Sequence, residues 1–152
     1  MIFIENNSHL FNLKRRNNMP TEMEVWSLFW QAGLTNAVYF TGLAFLLWVS
    51  FRAANMAGES DNMIGKVFVT VFCLLIVFQL NFNGAAAEWV SNGIAGVFAT
   101  MQAQGVEISS GAVNFIAANE PGKEFNLMPN MVGGLFMVTV LGMQMFSIWM
   151  KK

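Results

Sequence analysis

The side chains of this 152-residue chain that are able to do chemistry are few, and they do not form an obvious catalytic set. Glu22 and Glu24 are two positions apart, so they face different directions on a helix. Glu120 and Glu124 flank a Pro-Gly turn. The only histidine, His9, is not close in sequence to either pair. A metal or acid–base site usually needs a histidine beside its carboxylates. We therefore interpret these carboxylates as solvated surface groups, and we predict no catalytic residue and no cofactor.

Methionine thioethers are the second candidates, because Cu(I) is a soft ion that prefers such ligands. The chain has 12 methionines. Those that are weak candidates for metal ligands lie in or just before the last apolar stretch: Met128, Met131, Met143 and Met145. Methionine is also an ordinary filler of apolar helices, so copper handling ranks third among the functions considered.

Three apolar stretches with abundant methionine and glycine resemble, in outline, copper transporters of the Ctr type. That family has a Met-x-x-x-Met pair in its second span and a Gly-x-x-x-Gly pair in its third. Here the second span has no methionine after Met63, and the third has Gly133-Gly134 and Gly142 at a different spacing. The chain therefore departs from that family in both motifs, and we do not assign it there.

The apolar stretches that carry these residues are long enough to cross a membrane. The stretch Lys66 to Leu80 has no charge between its opening lysine and Gln79. With its flanks it approaches the roughly 20 residues that cross a ~30 Å hydrocarbon core. A helix that is apolar on every face is buried in a large core or in lipid. We predict spans over about 30–51, 64–82 and 131–150, and thus an all-α integral membrane protein with three transmembrane helices.

The composition agrees with that prediction. The chain is 55% hydrophobic and 11% charged, against a usual charged share of about 25%. Its net charge of −1 argues against nucleic acid as a partner, since no basic face is available to neutralise phosphates. The single Cys73 lies inside the second apolar stretch, so it is interpreted as a small buried hydrophobe.

The remaining parts of the chain are polar. Residues 1–18 are interpreted as a basic tail or an upstream extension, and residues 19–152 as a single membrane domain. Residues 83–130 are predicted to form a partly helical extracytoplasmic segment, with a helix over about 88–104 that Gly105 ends. Thr21 or Pro20 is expected to start the first long helix, and Ser60 or Asp61 to cap the second.

Small and aromatic residues in and beside the spans suggest structural roles. Small residues often allow close helix–helix packing in lipid, and the candidates are Gly42, Gly133, Gly134 and Gly142. Tryptophan and lysine often anchor helix ends at the membrane interface, and the candidates are Trp26, Trp30, Trp149, Lys151 and Lys152. Asn36, Gln79 and Gln144 are expected to form hydrogen bonds between helices.

Positive charge predicts the orientation. Arg52, Lys66 and the two C-terminal lysines fall on one side of a three-span chain, whereas Lys123 is the only base on the other side when counting starts at Met19. The positive-inside bias therefore predicts an extracytoplasmic N-terminus and a cytoplasmic C-terminus, in a bacterial inner membrane or its equivalent.

Charged groups inside membrane spans mark proton relays and ion paths, and no Asp, Glu, Lys, Arg or His occurs in 67–80 or 131–150. The leading interpretation is a small non-catalytic accessory subunit of a larger membrane complex, with other integral membrane subunits and lipid as partners. A membrane oxidoreductase such as a copper-dependent monooxygenase is one host considered. The alternative is a homo-oligomeric pore or holin-like permeability protein, for which the hydroxyl and amide residues of the first span and the dibasic C-terminus are the supporting features.

Overall fold

The computed structural model describes residues 20–150, and within that range the chain has four α-helices and no strand. The helices are α1 (Glu22–Gly58), α2 (Met63–Ala103), α3 (Ser110–Ala118) and α4 (Met131–Trp149). The all-α prediction is confirmed, and α1, α2 and α4 are long and apolar enough to cross a membrane. The predicted tail at 1–18 and the predicted anchors Lys151 and Lys152 lie outside the described residues.

Two of the helices are much longer than the spans predicted for them. At 1.5 Å per residue, the 37 residues of α1 and the 41 of α2 measure about 55 and 60 Å, against a ~30 Å hydrocarbon core. The helix predicted over 88–104 is the last part of α2 and not a separate element. Three consecutive alanines at 85–87 favour helix strongly. Gly84 and Gly93 cost about 1 kcal/mol each, which is too little to break a helix that contains no proline.

Side-chain caps explain where the long helices begin. Thr21 and Glu24 form a capping box, in which the Glu24 amide donates to the Thr21 hydroxyl and the Thr21 amide donates to the Glu24 carboxylate. Asn62, and not the predicted Ser60 or Asp61, caps α2, since its side-chain oxygen accepts from the Gly65 amide at 3.1 Å. Asn130 caps α4 in the same way.

Gly105 ends α2 as predicted. Its φ of 76° lies in the left-handed region that glycine adopts without strain. The Gly105 amide donates to the Gln102 carbonyl and the Val106 amide to the Met101 carbonyl, which is the hydrogen-bond pattern of a Schellman motif. Val106 also packs against the cluster that contains Met101, so the chain turns back onto apolar surface.

The described residues form two compact units. Unit 1 consists of the described residues up to Trp30 together with Ser91–Gly122. Its core contains Val25 of α1, Phe98 and Met101 of α2, and Ala112 of α3, with partly buried aromatic rings around them. Asn92 fixes the turn at 119–122, because its carbonyl accepts from the Gly122 amide and its side chain accepts from the Glu120 amide.

Unit 2 consists of Gln31–Val90 and the chain from Lys123 onward. Within it, α1 and α2 run antiparallel, and α4 runs parallel to α1. Ser50 of α1 is hydrogen-bonded to Gln144, 94 positions later, and Thr70 of α2 to Trp149. These two pairs fix the register of the helices, so residues of about 37–55 of α1, 70–88 of α2 and 131–149 of α4 lie side by side. α4 has 19 residues and is therefore about 28 Å long, so these three aligned segments match the thickness of one hydrocarbon core.

Candidate functional site

The most deeply buried polar group of unit 2 joins all three of its helices. Ser50, Cys73 and Gln144 are each 0% exposed. The Gln144 Nε2 donates to the Ser50 Oγ at 2.7 Å, and the Ser50 Oγ donates to the Leu47 carbonyl at 2.7 Å. The Cys73 thiol of α2 donates to the Ser50 carbonyl at 3.8 Å. The Gln144 Oε1 is buried and has no hydrogen-bond partner among the described residues.

A second polar contact joins α1 and α2 alone. The Asn36 Nδ2 lies 3.2 Å from the Asn83 Oδ1 and 3.3 Å from the Asn83 carbonyl oxygen, and Asn83 is 7% exposed. Asn36 and Gln144 therefore make interhelical hydrogen bonds, as expected from the sequence. Gln79 is partly buried and makes no such bond within the described chain. Asn83 was missed, and the signal that could have identified it is its place in the row of amides at 79, 81 and 83 that ends the apolar stretch.

These buried groups are amides, a hydroxyl and a thiol that hold helices together. Hydrogen bonds of this kind replace water for polar groups in a low-dielectric interior. Among residues 20–150, no group of three or more His, Cys, Asp or Glu side chains is arranged to hold a metal ion. The buried polar group thus defines how the helices pack, and the surfaces that remain exposed are the better candidates for binding.

One such surface is a notch along one side of α1, with a volume of about 830 Å³. Its lining is mostly apolar and comes from one face of the helix: Leu34, Thr35, Val38, Tyr39, Gly42, Leu43, Phe45 and Leu46. Gly42 leaves part of this face without a side chain, and a Cβ built there would meet nothing within 4 Å. Val38 and Phe45 on either side of it are 75% and 62% exposed.

The other predicted packing glycines have different surroundings. Gly142 lies on the exposed face of α4, and a Cβ there would also meet nothing within 4 Å. Gly133 and Gly134 lie against the cap of α4, where a Cβ would meet Asn130 or Pro129. Packing of these glycines against another chain stays a prediction.

The candidate methionines do not share one environment. Met128, Met131 and Met143 are exposed, Met131 the most at 91%. Met145 instead packs against the buried cluster of Ala54, Cys73 and Ile148. Met143 and Met145 are therefore directed to different surroundings on α4, and a thioether site that uses both would need α4 to rearrange.

The carboxylates of Glu22 and Glu24 are occupied in hydrogen bonds within unit 1. The Glu22 carboxylate accepts from the Ser109 hydroxyl and amide and from the Trp26 Nε1, and these bonds hold its pKa below the ordinary value. Bonds from the Thr21 amide and hydroxyl likewise lower the pKa of Glu24. The two carboxylates thus have separate partners, in agreement with their two-residue spacing.

The tryptophans predicted as interfacial anchors differ in exposure. Trp30 is 65% exposed. Trp26 packs inside unit 1, with its ring 5.0 Å from that of Phe98 and 5.3 Å from that of Phe115. Trp149 is 44% exposed and its Nε1 donates to the Thr70 hydroxyl at 3.1 Å. An interfacial position for all three stays a prediction.

Comparison with known proteins adds no further assignment: no protein-family model, no curated protein and no solved structure matches the chain significantly.

Proposed function

We propose that the chain is a small non-catalytic subunit of a larger membrane complex, in which another integral membrane subunit covers the notch of α1. The notch itself is the observation that carries this proposal. It combines a concave shape, a volume of about 830 Å³ and a mostly apolar lining centred on a glycine. A glycine on a helix face lets the backbone of a second membrane helix approach closely.

One end of the notch favours protein over lipid as the cover. Leu34 and Thr35 precede the aligned segment that begins near residue 37, and Leu34 is 69% exposed. If the aligned segments occupy the hydrocarbon core, this end reaches beyond it. Exposed apolar surface outside lipid commonly marks a contact with another protein.

The buried polar side chains of unit 2 fit a non-catalytic role. Ser50, Asn83 and Gln144 are neutral, so they fix helix positions by hydrogen bonding and do not exchange protons near neutral pH. In this proposal the reaction of the complex is carried out by the partner subunits.

Gly42→Leu tests the proposal, because the new side chain fills the notch without meeting another part of the chain. Gly93→Leu is the matched control, since it also adds a side chain at an open glycine of a long helix and that glycine is not a predicted packing position. We expect the wild-type chain, gently extracted from native membranes, to migrate with larger membrane subunits on a native gel. Gly42→Leu should release it while Gly93→Leu should not. Migration of the wild type as a pure homo-oligomer would contradict the proposal and favour a pore.

We also propose that the end of unit 2 that contains Trp149 faces the cytoplasm. Arg52 and Lys66 lie near that end, whereas Lys123 lies at the other. Single-cysteine labelling tests this orientation, because the native Cys73 is buried and does not interfere. An impermeant maleimide should label Ser110→Cys in intact cells and label Ser60→Cys only after lysis. The reverse pattern would invert the orientation.

A further inference from the structure

A second cavity in unit 2, of about 260 Å³, is amphipathic. Five of its lining side chains are large and apolar: Phe40, Leu80, Met128, Phe136 and Met137. Four are polar: Asn81, Glu88, Asn126 and Asn130. Glu88, Asn126 and Asn130 lie at or beyond the ends of the aligned segments at 88 and 131, whereas Phe40, Phe136 and Met137 lie several residues inside them, as does Asn81. The polar groups are therefore concentrated where the apolar layer ends, and the apolar groups lie mostly within it.

Backbone contacts fix which atoms the three amides offer to a ligand. The Asn126 Oδ1 accepts from the Met128 amide at 2.9 Å, and the Asn130 Oδ1 accepts from the Gly133 amide at 2.8 Å. Both side chains thus keep their Nδ2 as a donor. The Asn81 Nδ2 donates to the Leu127 carbonyl at 2.8 Å, so Asn81 keeps its Oδ1 as an acceptor.

The cavity also has one charge of each sign beside it. The Lys123 Nζ lies 3.4 Å from the Glu88 Oε1, and the two side chains are 38% and 59% exposed. An exposed ion pair of this kind contributes little to stability, so it is readily exchanged for charges on a ligand. A ligand that matches the site has an ammonium group for Glu88 and an anionic group for Lys123.

The wall of the cavity is held in place before any ligand binds. The Phe125 ring lies 5.7 Å from the Phe82 ring and 6.4 Å from the Trp89 ring, centroid to centroid. With the bond from Asn81 to the Leu127 carbonyl, these contacts fix the segment 123–130 against α2. A preformed site of this kind avoids the entropy loss of ordering a loop on binding.

We propose that this cavity binds the headgroup of a phospholipid that carries a primary ammonium, as phosphatidylethanolamine does. The ammonium pairs with the Glu88 carboxylate, and the phosphate lies near Lys123 and the Nδ2 groups of Asn126 and Asn130. The acyl chains follow the half-exposed Phe40 and Phe136.

The chemistry of the lining selects this headgroup over others. Choline has no N–H to donate, so it leaves the Glu88 carboxylate without a hydrogen bond. Glycerol headgroups carry no positive charge to pair with Glu88. The volume of about 260 Å³ is below the roughly 300–1,000 Å³ of pockets for drug-sized ligands, which agrees with a headgroup as the ligand.

Native mass spectrometry of the delipidated full chain in detergent tests the proposal, with phosphatidylethanolamine, phosphatidylcholine and phosphatidylglycerol added separately. We expect one phosphatidylethanolamine per chain, retained about tenfold better than the other two, which is the effect of one charge-assisted hydrogen bond at a partly exposed site. Glu88→Gln should remove this preference, and Glu107→Gln, at an exposed carboxylate outside the cavity, should keep it.

Gly84→Leu supplies the steric test. Gly84 lines the cavity and a Cβ there meets nothing within 4 Å, so leucine occupies the space without straining α2. This variant should lose the bound lipid, whereas Gly93→Leu in the same helix should retain it, with equal helix content in both by circular dichroism. Equal retention of all three lipids, or full retention in Gly84→Leu, would overturn the proposal. Displacement by soluble phosphoethanolamine at equal concentration would overturn the assignment to a lipid.

Discussion

Ser50→Ala is the substitution whose effect depends most directly on the buried contacts of unit 2. It removes the acceptor of the Gln144 Nε2. Because the Gln144 Oε1 already has no partner, the whole amide of a 0% exposed side chain would then be left without hydrogen bonds.

The expected loss of stability follows from the hydrogen bond that the buried amide of Gln144 loses. An unsatisfied buried polar group costs about 1–3 kcal/mol, and hydrogen bonds between membrane helices contribute on average about 0.6 and at most about 1.7 kcal/mol. We therefore expect Ser50→Ala to lower the free energy of unfolding by about 1–2 kcal/mol. Thr41→Ala is the matched control, because its exposed hydroxyl bonds only to the Ala37 carbonyl of its own helix.

Gln144→Leu should behave differently although it breaks the same bond. It removes the unpartnered Oε1 together with the donor, and Ser50 keeps its bond to the Leu47 carbonyl. Replacement of a buried polar group by an apolar one of similar size is often nearly neutral, so we expect a change within about 0.5 kcal/mol. The double variant Ser50→Ala/Gln144→Leu should then be more stable than Ser50→Ala alone.

The double-mutant cycle compares the wild type, the two single variants and the double variant. Their unfolding in mixed detergent micelles, monitored by circular dichroism, gives the four free energies of unfolding. Rescue of Ser50→Ala by Gln144→Leu is the informative result, because only a shared contact produces it. If Gln144→Leu is as destabilising as Ser50→Ala and the two effects add, the unpartnered amide is not the source of the loss, and the reasoning is refuted.

Two further predictions concern unit 1. The pKa of Glu22 is lowered in the folded state, so its stabilising effect is present above the ordinary value of 4.5 and is lost as the pH falls through the folded value. Near-ultraviolet circular dichroism should therefore show that the packing around Trp26 is lost as the pH falls. Glu22→Gln should weaken this pH dependence, whereas Glu107→Gln should leave it unchanged. A pH profile of Glu22→Gln identical to that of the wild type would contradict the prediction. A Cβ at Gly96 would lie 3.2 Å from the Gly122 nitrogen, whereas one at Gly93 meets nothing, so Gly93→Ala should raise thermal stability by about 1 kcal/mol and Gly96→Ala should not. Equal gains in both would show that the turn at 122 moves freely.

The elements that local chemistry determines were predictable from the sequence. α4 begins within a residue of its predicted start, because Pro129 and Asn130 precede an apolar run that has no competing signal. Gly105 ends α2 because the left-handed conformation of the turn favours glycine there. The full lengths of α1 and α2 were not predictable from hydropathy, because an alanine-rich segment forms helix as readily as an apolar one.

The contacts between helices were only partly predictable. The sequence identifies Asn36 and Gln144 as polar groups that need partners, but their partners depend on the register between helices, which no local pattern encodes. The cavity of about 260 Å³ combines residues of α1, α2, α4 and the segment before α4, so it appears only when the three helices are aligned.

The polar contacts of unit 2 also imply an order of assembly during synthesis. Asn36 and Asn83 satisfy each other within the hairpin of α1 and α2, which are joined by only four residues, 59–62. The Ser50 hydroxyl likewise bonds to its own helix. Gln144 has no such local partner, and α4 follows α2 only after the segment 104–130. If the three helices span a bilayer, α4 therefore enters it with the Gln144 amide unpaired, and docking onto the hairpin of α1 and α2 supplies the Ser50 hydroxyl as the acceptor for its Nε2.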